Sequence, residues 1–200
     1  MFRFGERRTL HQVPISNWWL GSEFNGPVFA KVDQALDLIA HYAPATYKSM
    51  RQDIASILIS NPPGARGSYF HEIRMVDLSM EFVIDAETTP HSLASVLVHE
   101  AQHARLCRFG FGYEEPIRAR IERLCYRAER NFARKIPGCE ALVADAESWM
   151  SADLDPIFSN EGRYRRELDH LREVGCPEWT VRILGRIRPL ALWLRRIRAR

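Results

Sequence analysis

An α+β fold, with a small β-sheet packed on one motif-bearing helix and a mostly helical C-terminal part, is predicted by three features of the sequence. Short β-branched and aromatic runs gather between residues 54 and 84, helical periodicities fill most of the rest, and proline- and glycine-rich breaks divide them. Two hundred residues, 46% hydrophobic and 26% charged, suit one globular domain with a substantial core. We expect that domain over residues 1–180, with a basic amphipathic tail over 181–200.

Val28 to Tyr42 places Val28, Val32, Ala35, Leu36 and Ile39 at helical spacing, and Pro44 ends the pattern. A short helix is expected over Ala45 to Gln52, a strand over Ile54 to Ile59, and a loop at NPPGARG, Asn61 to Gly67. Tyr69 to Val76 and Met80 to Ile84 read as two further strands. Thr89 is suited to cap a helix whose first position is Pro90 and whose apolar residues Leu93, Val96 and Leu97 follow. Gly110 and Gly112 mark its exit. Glu114 to Lys135 forms a second long helical pattern, closed by Pro137 and Gly138; Glu140 to Met150 and Gly162 to Val174 form two more.

Charge and cysteines narrow the functional classes. The net charge is +3, but the last twenty residues hold seven arginines and no acid, so the body is mildly acidic. A nucleic-acid interface on the body is therefore not expected. The tail, with Trp193 and several leucines among its arginines, suits either packing on the body or contact with an anionic membrane surface. No apolar run reaches membrane-spanning length and the N-terminus lacks a signal-peptide pattern, so a cytoplasmic location is expected. Cys107, Cys125, Cys139 and Cys176 form no CxxC pair and read as reduced, structural residues. The adjacent Trp18 and Trp19 suit the core or a cleft wall equally.

The chemistry is carried by VLVHEAQHARL, Val96 to Leu106. Histidines four apart on a helix share a face, so the imidazoles of His99 and His103 can meet one ion. Glu100 lies beside them, where it can deprotonate a bound water. A catalytic zinc ion takes three protein ligands and leaves one position open. Glu122, on the next helix after a glycine-containing turn, is the candidate third ligand. Glu129, seven residues further and about 10 Å along the axis, is the reserve, as ligand or as acceptor for a histidine N–H.

His99-Glu100-Ala101-Gln102-His103 followed by Glu122 resembles the gluzincin metallopeptidases. The resemblance implies a zincin-like core, Zn2+ held by His99, His103 and Glu122, and Glu100 as general base. The match spans about a quarter of the chain, from Met80 to Glu129. Three family features are absent: Tyr126 stands where an acid would follow the ligand glutamate, no GxMEN motif occurs, and residue 109 is phenylalanine rather than a third histidine.

The activity expected on this basis is hydrolysis of a peptide or small amide, with an oxyanion donor beside the metal. Tyr126, one turn beyond Glu122, is the best-placed hydroxyl; Tyr113, His71 and His170 are alternatives. The strand near Tyr69 to Val76 suits an extended substrate. Two other functions fit the same residues: a non-catalytic zincin-fold binding or regulatory protein, and a membrane-surface adaptor acting through the tail.

Overall fold

The computed structural model describes residues 6–17, 22–60, 62 and 64–185. Trp18 and Trp19, Asn61 and Pro63 of the expected loop, and residues 186–200 of the tail lie outside the described residues.

The chain opens with a hairpin, β1 (Arg7–Leu10) and β2 (Val13–Asn17), paired antiparallel. Its two-residue turn holds His11 at φ 52° and Gln12 at φ 67°, left-handed backbone that glycine or asparagine usually supplies. Side-chain contacts offset the strain. His11 Nδ1 hydrogen-bonds the Tyr47 hydroxyl at 2.7 Å, and Nε2 lies 3.4 Å from Asp33 and 3.3 Å from Asp37. Then come α1 (Ser22–Tyr42), α2 (Pro44–Asp53) and β3 (Ser56–Ser60), which pairs parallel with β2.

Two sequence expectations change in the next segment. Tyr69 to Val76 is not one strand but the bend of a hairpin: β4 (Gly67–Phe70) turns back through residues 71–74 into β5 (Met75–Ser79). Met80 to Ile84, expected as a strand for its apolar content, is a short helix, α3 (Met80–Ile84). Ser79 caps it by accepting from the Phe82 N–H. Lys31 of α1 closes its other end, donating to the carbonyls of Val83 at 2.7 Å and Asp85 at 2.8 Å. Local capping outweighs β propensity here.

The five-stranded sheet runs β1-β2-β3-β5-β4, parallel at its centre and antiparallel at both flanks. Its register aligns Ile15 with Ile57, Ile57 with Val76, and Ile59 with Leu78, so one buried apolar row crosses the strands. Val28, Val32, Leu36 and Ile39 of α1 join that core, together with Leu93 and Leu97 of α4 (Pro90–Arg108). The architecture is α+β, a small mixed sheet packed against helices.

Thr89 caps α4 by accepting from the Ser92 N–H, and Pro90 occupies its first position. Past its end Gly110 adopts φ 81°, the left-handed conformation that terminates helices. Residues 109–114 then turn the chain into α5 (Glu115–Ala133), which packs on α4 and buries a smaller cluster of Leu106, Ile121 and Cys125. α6 (Glu140–Ser151), α7 (Leu154–Phe158) and α8 (Asn160–Glu173) complete the described body, with residues 178–185 helical after it. Glu115 ties α5 to α8 by accepting from both the backbone and side chain of Asn160.

Candidate metal centre

α4 buries most of its first two turns against the core, so the motif arrives at the protein interior. His99 and Glu100 are buried and His103 is nearly so, with the two imidazole centroids 4.9 Å apart. One wall of the site is α5. Its residues Glu122, Cys125, Tyr126 and Glu129 recur at helical spacing, and all four reach the histidines of α4.

The described residues hold one group whose donor atoms meet the mutual distances of a metal site: His99, His103 and Cys125, all within 4.8 Å of one another. Two imidazole nitrogens and a thiol suit a borderline-soft ion such as zinc. The reading of Cys125 as a reduced, structural residue, which rests on the lack of a CxxC pair, does not anticipate this donor. The available signal was its position three residues after Glu122, on the same face of α5.

Glu122 reaches the same nitrogens. Its carboxylate lies 3.3 Å from His99 Nε2 and 3.5 Å from His103 Nε2, and accepts from the Tyr113 hydroxyl. On the far side of His99, Nδ1 is 2.5 Å from Glu129, whose other oxygen accepts from Ser95 at 3.0 Å.

In the metal-free chain these contacts set the protonation states. Burial lowers His99, but hydrogen bonds to Glu122 and Glu129 outweigh it and hold the imidazolium well above its ordinary range. Burial would raise Glu122, yet the bond to His99 and the charges of both histidines bring it down to about 2. Burial pushes His103 down to about 4 and the Cys125 thiol well up. Glu100 is raised to about 7, chiefly by burial, with His99 opposing.

Glu100 lies against β4. A Cβ on Gly67 would sit 2.9 Å from Val96 Cγ1 and 3.1 Å from Glu100 Oε1, so only glycine lets the strand approach the carboxylate this closely.

Strand, motif helix and α5 open on a cavity of about 950 Å3, closed opposite by α6, α7 and α8. Tyr126 stacks on Trp149 with centroids 5.4 Å apart and meets the His99 ring edge-on at 4.9 Å. Tyr113 meets His103 edge-on at 5.4 Å. Burial pushes both phenols up, with Glu122 adding to it, so each remains a protonated donor. His71 is exposed and lines the cleft beside Glu72, and His170 lines a smaller adjoining cavity of about 290 Å3.

No protein-family model, curated protein or solved structure matches the chain. The resemblance to the gluzincins is corrected accordingly. The cluster that meets metal-site distances takes its third donor from the Cys125 thiol, whereas that family takes it from a glutamate.

Proposed function

We propose that the protein is a metal-dependent hydrolase of peptide or related amide bonds. The observation that supports this is a buried carboxylate, Glu100, set beside a histidine pair at the floor of a cleft. His99 and His103 hold the ion, and α5 supplies the remaining protein donor. Two side chains on that helix reach the pair, the Cys125 thiol and the Glu122 carboxylate. A bound Zn2+ supplies acidification of water and polarisation of a carbonyl. Glu100, near 7, accepts a proton at its carboxylate and returns it to the leaving amine. Glu129 orients His99 through Nδ1. Tyr126 donates to the developing oxyanion, with Tyr113 beside it.

The substrate lies along β4. That strand is at the sheet edge and all four of its residues line the cleft, an arrangement suited to an extended chain. The four cysteines stand free, as a reducing compartment keeps them, which favours the cytoplasm. No helix among the described residues is long and apolar enough to cross a membrane. Exposed Trp179 and Ile183, beside the arginines of residues 181–200, favour peripheral contact with an anionic membrane as well. Binding to anionic but not zwitterionic vesicles, abolished by salt, tests that contact.

Metal content and turnover test the main reading. The wild-type chain is expected to take up one zinc per molecule and to cleave a degenerate peptide mixture, with Glu100→Gln keeping the metal and losing the cleavage. Cys125→Ser and Glu122→Gln identify the donor from α5, read in the visible spectrum of the cobalt(II) form. A severe loss of metal in both variants marks a site closed by four protein donors. That outcome favours the second reading, a metal-stabilised binding protein without hydrolysis.

A further inference from the structure

Arg118 and Arg163 converge on the ring of Tyr113, a residue of the cleft wall. Both guanidinium carbons stand over the Tyr113 ring, 5.1 and 5.7 Å from its centroid. Arg118, on α5, is only 6% exposed and directs its bonds at neutral acceptors. Its Nε donates to the Tyr113 carbonyl, and Nη1 donates to the Phe158 carbonyl at 2.6 Å and to Asn160 Oδ1 at 3.2 Å. Arg163, on α8, is exposed and lines the cavity.

Glu115 and Glu122 act on Arg118 only at longer range. Among the described residues no carboxylate lies within 4.0 Å of either guanidinium, although thirteen other arginine and histidine residues have such pairs. The nearby acids are otherwise engaged: Glu115 accepts from Asn160 and Glu122 from Tyr113 and the histidines. Two like charges held on one ring, one of them buried, leave a site of positive potential facing the cleft.

We propose that Arg163, backed by Arg118, is the subsite that receives a carboxylate of the substrate. It deepens the hydrolase reading and rests on it for the identity of the bound molecule as a peptide. Ring contacts of 5.4 Å from His103 to Tyr113 and 5.7 Å from Tyr113 to Arg163 set the reach. An extended chain advances about 3.3 Å per residue, so the carboxylate stands within roughly three residues of the bond at the histidine pair. It is either the chain's own C-terminus or an acidic side chain.

The zinc-loaded Glu100→Gln chain, which cannot turn substrate over, separates binding from cleavage. Three pools of degenerate tetrapeptides serve as probes in titration calorimetry: free acids without acidic side chains, their C-terminal amides, and amides carrying one glutamate. Peptides bearing a carboxylate are expected to bind about tenfold more tightly than the neutral amides, the scale of one charge-assisted hydrogen bond. Whichever charged pool shows the advantage identifies the source. Arg163→Ala, at an exposed position, is expected to erase the advantage, and Arg163→Lys to restore part of it. Equal binding of all three pools, no binding by any, or an advantage that survives Arg163→Ala overturns the subsite. Cleavage of the same pools by the wild-type chain is scored separately. Carboxylate preference without cleavage leaves the subsite standing and removes the hydrolase.

Discussion

His99 Nδ1 lies 2.5 Å from Glu129 Oε1, and the second oxygen of that carboxylate is held by Ser95. The contact leaves Nε2 of His99 as the nitrogen turned toward His103, Glu122 and Cys125. In the proposed metal site, Glu129 would therefore fix which nitrogen a metal meets.

Replacing Glu129 by glutamine keeps an acceptor for His99 but removes the charge. Zinc affinity is expected to fall about 10- to 100-fold, the usual effect of losing such a carboxylate behind a ligating histidine. Competition with a chromophoric chelator measures it. An unchanged affinity would remove Glu129 from the metal centre.

Glu100 gives the metal-free protein a distinctive pH response. Its folded value of about 7 exceeds its ordinary 4.5, so the folded chain keeps a proton that the unfolded chain releases. The sign is a penalty: absent below about 4.5, growing through the interval to 7, and constant above it. Glu100→Gln removes that penalty, so the metal-free variant is expected to be more stable than wild type by a few kcal/mol at pH 8, and equal to it near pH 4. Urea unfolding across that range decides the matter, and parallel pH curves for the two proteins would refute the assignment.

His99 is held protonated in the metal-free chain by Glu122 and Glu129, after burial is overcome. A metal must displace that proton. Zinc binding at pH 7 is expected to release about one proton from His99, in addition to any from a ligating thiol. Titration calorimetry in buffers of different ionisation enthalpy counts them. Binding without proton release would show that the imidazolium is not the resting form.

Gly67→Ala sets a Cβ against Val96 and the Glu100 carboxylate. Overpacking of this kind costs about 1–3 kcal/mol, and here it also moves a group proposed to handle a proton. Turnover is expected to fall while zinc content holds. Normal kcat with a lowered melting temperature alone would reduce Gly67 to a packing role.

The parts of the fold that were legible in the sequence are those with strong periodicity and clear punctuation. The helix of His99 and His103 is bounded by Thr89, Pro90 and Gly110, and its partner α5 follows the expected turn. The N-terminal hairpin was not legible, because its turn is His11-Gln12 and only long-range contacts from α1 and α2 hold those residues at positive φ. α3 was not legible because its stop comes from Lys31, more than fifty residues before the carbonyls it caps. The site divides the same way. His99, Glu100 and His103 are local in sequence, whereas Cys125 joins them only through the packing of α5 on α4. The paired guanidiniums needed α8 as well.

The free edge of β4 has a cost. Among the described residues no strand pairs with its outer side, and apart from the Tyr69 N–H, which bonds the Glu100 carboxylate, such an edge is as open to a strand from another copy as to a substrate and can nucleate aggregation. Here the edge is four residues long, and α6, α7 and α8 wall the cavity in front of it. Those helices thus act as guards against self-association. Partial loosening of the C-terminal half is a route to insoluble protein well before the sheet itself unfolds.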